Sequence, residues 1–339
     1  RIATASSPQS LMDVLNEQQW DAVNLVIDGG LAYLFAKQSR DGSFPTYPTG
    51  QPGVSGLVLL ALLSDGHLPA QGRYGDEVTK LVRYIASSQK GSGLFALAMP
   101  DRNPAPQHAP SHTAMYNHGV AGTAVCEAYG MLSGTSVEDL DKKIELAIEF
   151  TLAKQEEPKR LKEDKGGWRY YTRVPGEVAD SDMSVTGWQL TFLRAAKNAG
   201  FDVPSQAIDD AIGFIHHRYS PKDRSFLYAA RHPQVPWHVT NATGLLSLSL
   251  AGKHNTSESQ EAADWLMEHS LGRYNNPEIV KYHYTAFFCN MAMFHKGGEH
   301  WKAWFPKVAS DLIAGQRSDG SWEAIGSEEL WGDYFSTSL

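Results

Sequence analysis

The chain has 339 residues, 42% of them hydrophobic, and a formal net charge of -8 at pH 7. That length and apolar content allow a sizeable buried core in one large domain or two ordinary ones. The charges are scattered rather than blocked, which argues against nucleic acid as a partner and gives no sign of a membrane-surface patch, and no apolar stretch approaches the roughly 18 residues of a membrane span.

The first residue is Arg1 rather than Met, so the N-terminus reads as processed or trimmed, which leaves an extracytoplasmic location open. Residues 1–18, around "LMDVLNEQQW", read as a helical extension, and residues 19–339 as one domain. That domain is punctuated by a recurring signal. "GLAYLFAKQ" runs into Gln38-Ser-Arg-Asp-Gly42-Ser-Phe44, and "EVTKLVRYIASSQ" into Gln89-Lys-Gly-Ser-Gly93-Leu-Phe95. Weaker copies follow in "KEDKGGW" ending at Trp168, "SPKDRSF" ending at Phe226 and "EHSLGRY" ending at Tyr274, before Gln316-Arg-Ser-Asp-Gly320-Ser-Trp322. Each copy closes a segment whose apolar residues recur every three or four positions, with the glycine placed as a helix C-cap. Each is followed by a loop and a more continuously apolar helix: "VSGLVLLALL", "VAGTAVCEAYGML", "VTGWQLTFLRAA", "ATGLLSLSLA" and "YTAFFCNMAMF". A helix that is apolar nearly all round is buried on both sides.

Six amphipathic–buried helix pairs predict two concentric rings, an all-α (α/α)6 toroid, with an α-solenoid as the alternative packing. The sixth buried helix begins at "DYFSTSL" and is cut short at Leu339, so five full inner staves are expected, with further chain or the N-terminal stretch filling the gap. Cys126 and Cys289 lie within apolar helical runs and read as buried thiols.

The Gln-x-x-x-Gly-x-aromatic punctuation resembles the QW motif of squalene and hopene cyclases. The helix-pair register is similar throughout to the prenyltransferase/squalene-oxidase repeat, and above all to short single-toroid bacterial proteins built on it. The resemblance implies a toroid whose inner-helix starts ring the mouth of a central cavity. Aligned on their small Thr/Ser/Ala-Gly/Ala/Ser step, the six helix starts around that mouth are Gln51-Pro-Gly53, Asn117-His118-Gly119, Asp182-Met-Ser184, Val239-Thr240-Asn241, Lys281-Tyr282-His283 and Asp333-Tyr334-Phe335. Capping of a helix start accounts for Asp182 and Asp333 without any chemistry.

In class II cyclases an aspartic acid of a DxDD motif protonates an alkene or epoxide. Here "VADSDMSVTGW" admits two registers. Asp180-Ser-Asp182-Met183 lacks only the last acid, whereas aligning Trp188 puts Asp182 on the last acid and Ser181 on the donating position. The reading that follows makes Asp182 the proton donor or its partner, tuned by Asp180. His118, His238 and His283 would orient polar groups, Tyr116, Trp188, Trp237 and Tyr282 would line the cavity, and Asp333 would stand at its rim. The expected ligand is an apolar, isoprenoid-like small molecule, with no cofactor. A zinc prenyltransferase site is disfavoured: Asp182 and Trp188 match its pattern, but Ser184 replaces the thiolate and His283 precedes the expected position, where Tyr284 stands. His108, His112 and His118 after Phe95, with His232 and His238, form a further loop cluster that could meet at the mouth. A non-catalytic ligand carrier or scaffold of the same fold is the alternative; the Gly-Cys-Gly-Glu-Gln element of complement-like thioester domains is missing.

Overall fold

The computed structural model describes residues 13–104, 106–131, 137–231 and 235–339. The helices, in chain order, are α1 (Glu17–Lys37), α2 (Gly53–Ser64), α3 (Gly75–Ser87), α4 (Pro110–Met131), α5 (Leu140–Glu156) and α6 (Met183–Asn198). They continue with α7 (Ser205–His217), α8 (His238–Leu250), α9 (Ser257–Glu268), α10 (Tyr282–Lys296), α11 (Gly298–Gly315) and α12 (Asp333–Ser338). Only a two-residue hairpin, β1 (Tyr219–Ser220) and β2 (Ser225–Phe226), interrupts this all-α order among the described residues. The even-numbered helices pack side by side in the sequence α12, α2, α4, α6, α8, α10. The odd-numbered helices lie outside them, and α11 meets α1 to join the two ends of the chain. The fold is an all-α toroid.

Burial separates the rings. Every residue of α2 from Gly53 to Leu59 is buried, whereas α3 buries Val78, Leu81, Val82 and Ile85, a single stripe at helical spacing.

The recurring glutamines are the circumferential fasteners. Gln38 Nε2 donates to Gly42 O at 3.1 Å within its own turn and to Glu77 O at 3.0 Å on α3. Gln89 does the same to Gly93 O and Lys143 O, at 3.1 and 2.7 Å, and Gln316 to Gly320 O and Val26 O, at 2.9 and 2.6 Å, fastening the last unit to α1. Gln155 bridges Gly166 O and Ala207 O at 2.7 and 2.8 Å, although an insertion separates it from its glycine. The turn glycine cannot be replaced cheaply: Gly320 has φ 89°, and a Cβ there would lie 2.2 Å from Gly29 O.

Two expectations change. Helix α4 starts at Pro110, so His112 and His118 sit on a helix rather than in a loop; proline suits the first turn, where its missing N–H has no partner to lose. The "SPKDRSF" copy forms the hairpin, pairing Tyr219 with Phe226, instead of a glycine turn.

Candidate functional site

The N-terminal ends of the inner helices meet at one mouth, where Gly53 of α2, Ser184 of α6, Val239 of α8 and Phe335 of α12 line a common space. The mouth opens a cavity of about 330 Å³, walled by Val54 and Leu57 of α2, Tyr116 of α4, Trp188 of α6 and Tyr284 of α10. Tyr170, Tyr228 and Trp237 enter it from the loops after Trp168 and Phe226, and His112 and Lys281 are the basic side chains that line it.

Asp182 lies just behind this wall. Its backbone N–H donates to Trp168 O at 2.9 Å, and the next amide, of Met183, donates to Tyr228 O at 2.8 Å. The two flanking loops are thereby laid on either side of the helix start, which brings Tyr170 and Tyr228 over the carboxyl. Asp182 Oδ1 caps α6 by accepting the Val185 N–H at 2.9 Å. Oδ2 is buried and has no hydrogen-bond partner among the described residues. Burial pushes the Asp182 pKa up to about 6, against the opposing pull of Arg169, the Val185 and Ser184 amides and the Tyr228 hydroxyl. The Tyr228 hydroxyl thus faces the carboxyl, but without the geometry of a formed hydrogen bond.

Around this acid the polar groups form a layer. Tyr170 and Tyr228 share a 2.8 Å hydroxyl–hydroxyl hydrogen bond. Burial, then the neighbouring charge of Asp182, raises the pKa of both, so both stay protonated. The guanidinium of Arg169 lies 5.1 Å from the Tyr170 ring centroid and 5.8 Å from that of Tyr228, and it pairs with Glu177. Its Nε and Nη1 are buried without hydrogen-bond partners. His112 stacks on Tyr170 with ring centroids 3.9 Å apart, and burial lowers its pKa to about 4, leaving it neutral at ordinary pH. On the far wall, Trp188 Nε1 donates to Tyr284 Oη at 2.9 Å and its ring packs on Phe287 and Phe288.

Of the residues singled out in the sequence, Tyr116, Trp188 and Trp237 line the cavity and Asp182 stands behind it. The others are occupied elsewhere. Asp180 turns outward to Arg160 and Arg173, at 2.7 and 3.1 Å, and these cations hold its pKa below the usual carboxylate range; it is not a partner of Asp182. His118 is fully buried one layer out. It accepts the Phe95 N–H at Nδ1 and meets Thr151 Oγ1 through Nε2 at 2.8 Å, and burial lowers its pKa to about 3. His238 reaches outward to His269 O at 2.7 Å. His283 is held between Glu328 at 2.8 Å and Tyr274 at 3.0 Å, while Tyr282 is buried against both Tyr274 and His283. Asp333 binds Arg317 and the Ala324 N–H at its own helix start, at 2.8 and 2.9 Å. His232 lies outside the described residues. With both His283 nitrogens engaged, the zinc pattern lacks its imidazole, and no three His, Cys, Asp or Glu side chains converge as a metal cage among the described residues.

Arg169, Tyr170 and Tyr228 were not anticipated as site residues, and Lys281 stood at an aligned helix start without a role. They come from aperiodic loop sequence. The one available signal was the unusual length of the loop after Trp168.

Solved structures share this architecture. Type II terpene cyclase MstE from Scytonema, in a variant complexed with geranylgeranyl dihydroxybenzoate as substrate, superposes with a TM-score of 0.59 at 12% identity, covering 91% of this chain and 82% of that one. Another MstE variant, complexed with the product merosterolic acid A, gives 0.58 at 11% identity over 96% of each chain. A protein from Actinoplanes gives 0.55 at 16% identity over 93% and 96%. At these identities the likeness is one of fold. No protein-family model and no curated protein sequence matches the chain.

Proposed function

We propose that the cavity takes an isoprenoid-like apolar substrate and that Asp182 protonates it, so as to cyclise or isomerise it in the manner of a class II terpene cyclase. The observation that carries this reading is the Asp182 carboxyl, buried with Oδ2 unpaired, directly behind the hydroxyl pair of Tyr170 and Tyr228 that fronts the cavity. A cap needs only one of the two oxygens. The volume lies within the range of about 300–1,000 Å³ usual for small-molecule sites, and the aromatic walls suit an apolar chain.

In this reading the protonated carboxyl gives its proton to the Tyr228 hydroxyl, which passes its own onward through Tyr170 or directly to the substrate. One proton leaves Asp182 and one arrives at the substrate, while both tyrosines end neutral. Arg169 stabilises the carboxylate left behind. The faces of Trp188, Trp237 and the tyrosines stabilise the cation that forms. The cation then loses a proton from a neighbouring carbon, which returns through the hydroxyls to the carboxylate and leaves a neutral product and a protonated Asp182. A donor of pKa about 6 is a weaker acid than an ordinary aspartic acid, so it favours a basic acceptor such as an epoxide oxygen over an isolated alkene. The fold shared with a cyclase that is solved with an isoprenoid substrate supports the substrate class.

The test is product formation from epoxidised polyprenes and prenylated aromatic acids by the wild type and Asp182→Asn. The variant is expected to lose turnover while keeping its helical circular dichroism, and wild-type turnover to rise as pH falls through about 6. Unchanged turnover in the variant sinks the reading.

A further inference from the structure

We infer that the toroid carries a docking slot between α2 and α10, and that the partner it takes is an apolar α-helix of about two turns, standing end to end with α12.

Helix α12 occupies the inner-ring place between α10 and α2 and packs on α1 and α2, but it fills only the mouth-side end of that place. Its Phe335 lines the mouth cavity, whereas residues 336–339 face a second cavity of about 480 Å³. Four helices wall this space. Leu57, Leu60, Ala61 and Ser64 of α2 form one side, and His283, Ala286, Phe287 and Asn290 of α10 another. Both sets step by three, one and three residues, which is a single face of a helix. Val23 and Ile27 of α1 and Phe305 and Leu312 of α11 close the outer side. These faces are left uncovered: Leu60, Ala61, Phe287 and Leu312 are only half-buried and Ile27 is exposed, while Val58, Leu59 and Phe288, on other faces of α2 and α10, are buried.

The shape of the slot favours a helix. Its walls are helical faces, and their ridges and grooves are matched by the ridges and grooves of another helix. The α10 face, from 283 to 290, spans about 10 Å, or about two turns. The slot also continues an interface already present, since the α1 and α2 surfaces that carry α12 run on into it. The last carbonyls of a helix have no intrahelical N–H to accept from; the leading N–H groups of a helix in line with α12 supply them, and an apolar chain molecule does not. A second copy of this chain offers no spare helix among the described residues, because its longer helices are already packed into the two rings. The slot shares a wall with the mouth cavity: Leu57 lines both, and Phe287 stacks on Trp188 with ring centroids 6.0 Å apart. A docked helix therefore backs that wall.

Tethering a test helix behind Leu339 makes docking intramolecular, so that weak capture from solution does not mask it. The full chain is extended by eight residues of leucine and alanine followed by two lysines, and separately by eight residues of glutamine, lysine, glutamate and alanine, which also favour helix. In urea unfolding, the apolar extension is expected to raise the midpoint by at least about 0.5 M and the polar one to move it by less than about 0.2 M. Ala61→Lys, which sets an ammonium in the slot, should abolish the rise given by the apolar extension, whereas Leu25→Lys, at an exposed position of α1 outside the slot, should leave it intact. An apolar extension that does not raise the midpoint, an equal rise from the polar extension, or a rise that survives Ala61→Lys overturns the inference. A midpoint of the unextended chain that climbs with protein concentration assigns the slot to a second copy and overturns it as well.

Discussion

The glutamine fasteners and the start of α6 both bury polar groups, and they treat them in opposite ways. At each fastener one side-chain amide serves two carbonyls, one in its own turn and one on the next outer helix, as with Gln316 to Gly320 and Val26. At the start of α6 the account does not close: Asp182 Oδ2 and the Nε and Nη1 of Arg169 are buried with no hydrogen-bond partner. A buried polar group left unpaired costs about 1–3 kcal/mol, and more when it is charged. The fasteners explain why the ring holds. The unpaired acid and guanidinium are hard to explain by stability, which makes them the place to look for chemistry.

The sharpest way to break the fastener side of this contrast is Gly320→Ala. The new methyl would meet Gly29 O at 2.2 Å in a backbone with φ 89°, at the junction that joins the last unit to α1. A loss of about 3–5 kcal/mol is expected, read as a large fall in the urea midpoint. The chemical side is sharpened by Tyr228→Phe, which removes the hydroxyl facing Asp182 and keeps the ring in the wall. It should lower kcat by about 10–100-fold with KM little changed, measured on whichever substrate the wild type turns over. The smallest effect is the control for the first. Gly66 has φ 84° but nothing within 4 Å of a Cβ, so Gly66→Ala meets only the backbone penalty of about 1–2 kcal/mol.

The same contrast explains which parts of the molecule were legible in the sequence. Gln38, Gln89 and Gln316 each stand four residues before their glycine, so the fastener is a local pattern and three copies suffice to reveal it. Gln155 performs the same role across an eleven-residue separation from Gly166, and local spacing hides it. The inner ring was legible because burial on all sides leaves an unbroken apolar run, as in α2. The site was legible only at Asp182 and the helix-borne aromatics. Tyr170 and Tyr228 meet across 58 residues, through two loops pinned by backbone hydrogen bonds to Trp168 and Tyr228 that no periodicity encodes. His118 misleads for a related reason: its place at an aligned helix start resembles a mouth position, but its ring is spent receiving the amide of Phe95. Thr186, Asn241 and Thr337 receive the amides of Trp168, Phe226 and Trp322 in the same way, so this is a structural station of the repeat.

Asp182 is an acid held at a cost rather than an ordinary cap. A carboxyl whose pKa rises from 3.8 to about 6 on folding destabilises the fold when ionised. The sign is fixed by linkage: no cost below about pH 4, a growing one as pH rises, and the full cost of about 3 kcal/mol above about pH 6. Asparagine caps a helix as well as aspartate does and carries no charge to desolvate. Urea unfolding of the wild type and Asp182→Asn, compared at pH 7 and pH 4, therefore decides the matter. The variant should be more stable by about 2–3 kcal/mol at pH 7, and the difference should shrink to about 0.5 kcal/mol at pH 4. A variant that is no more stable than the wild type at pH 7, or a difference that does not change with pH, would contradict the account.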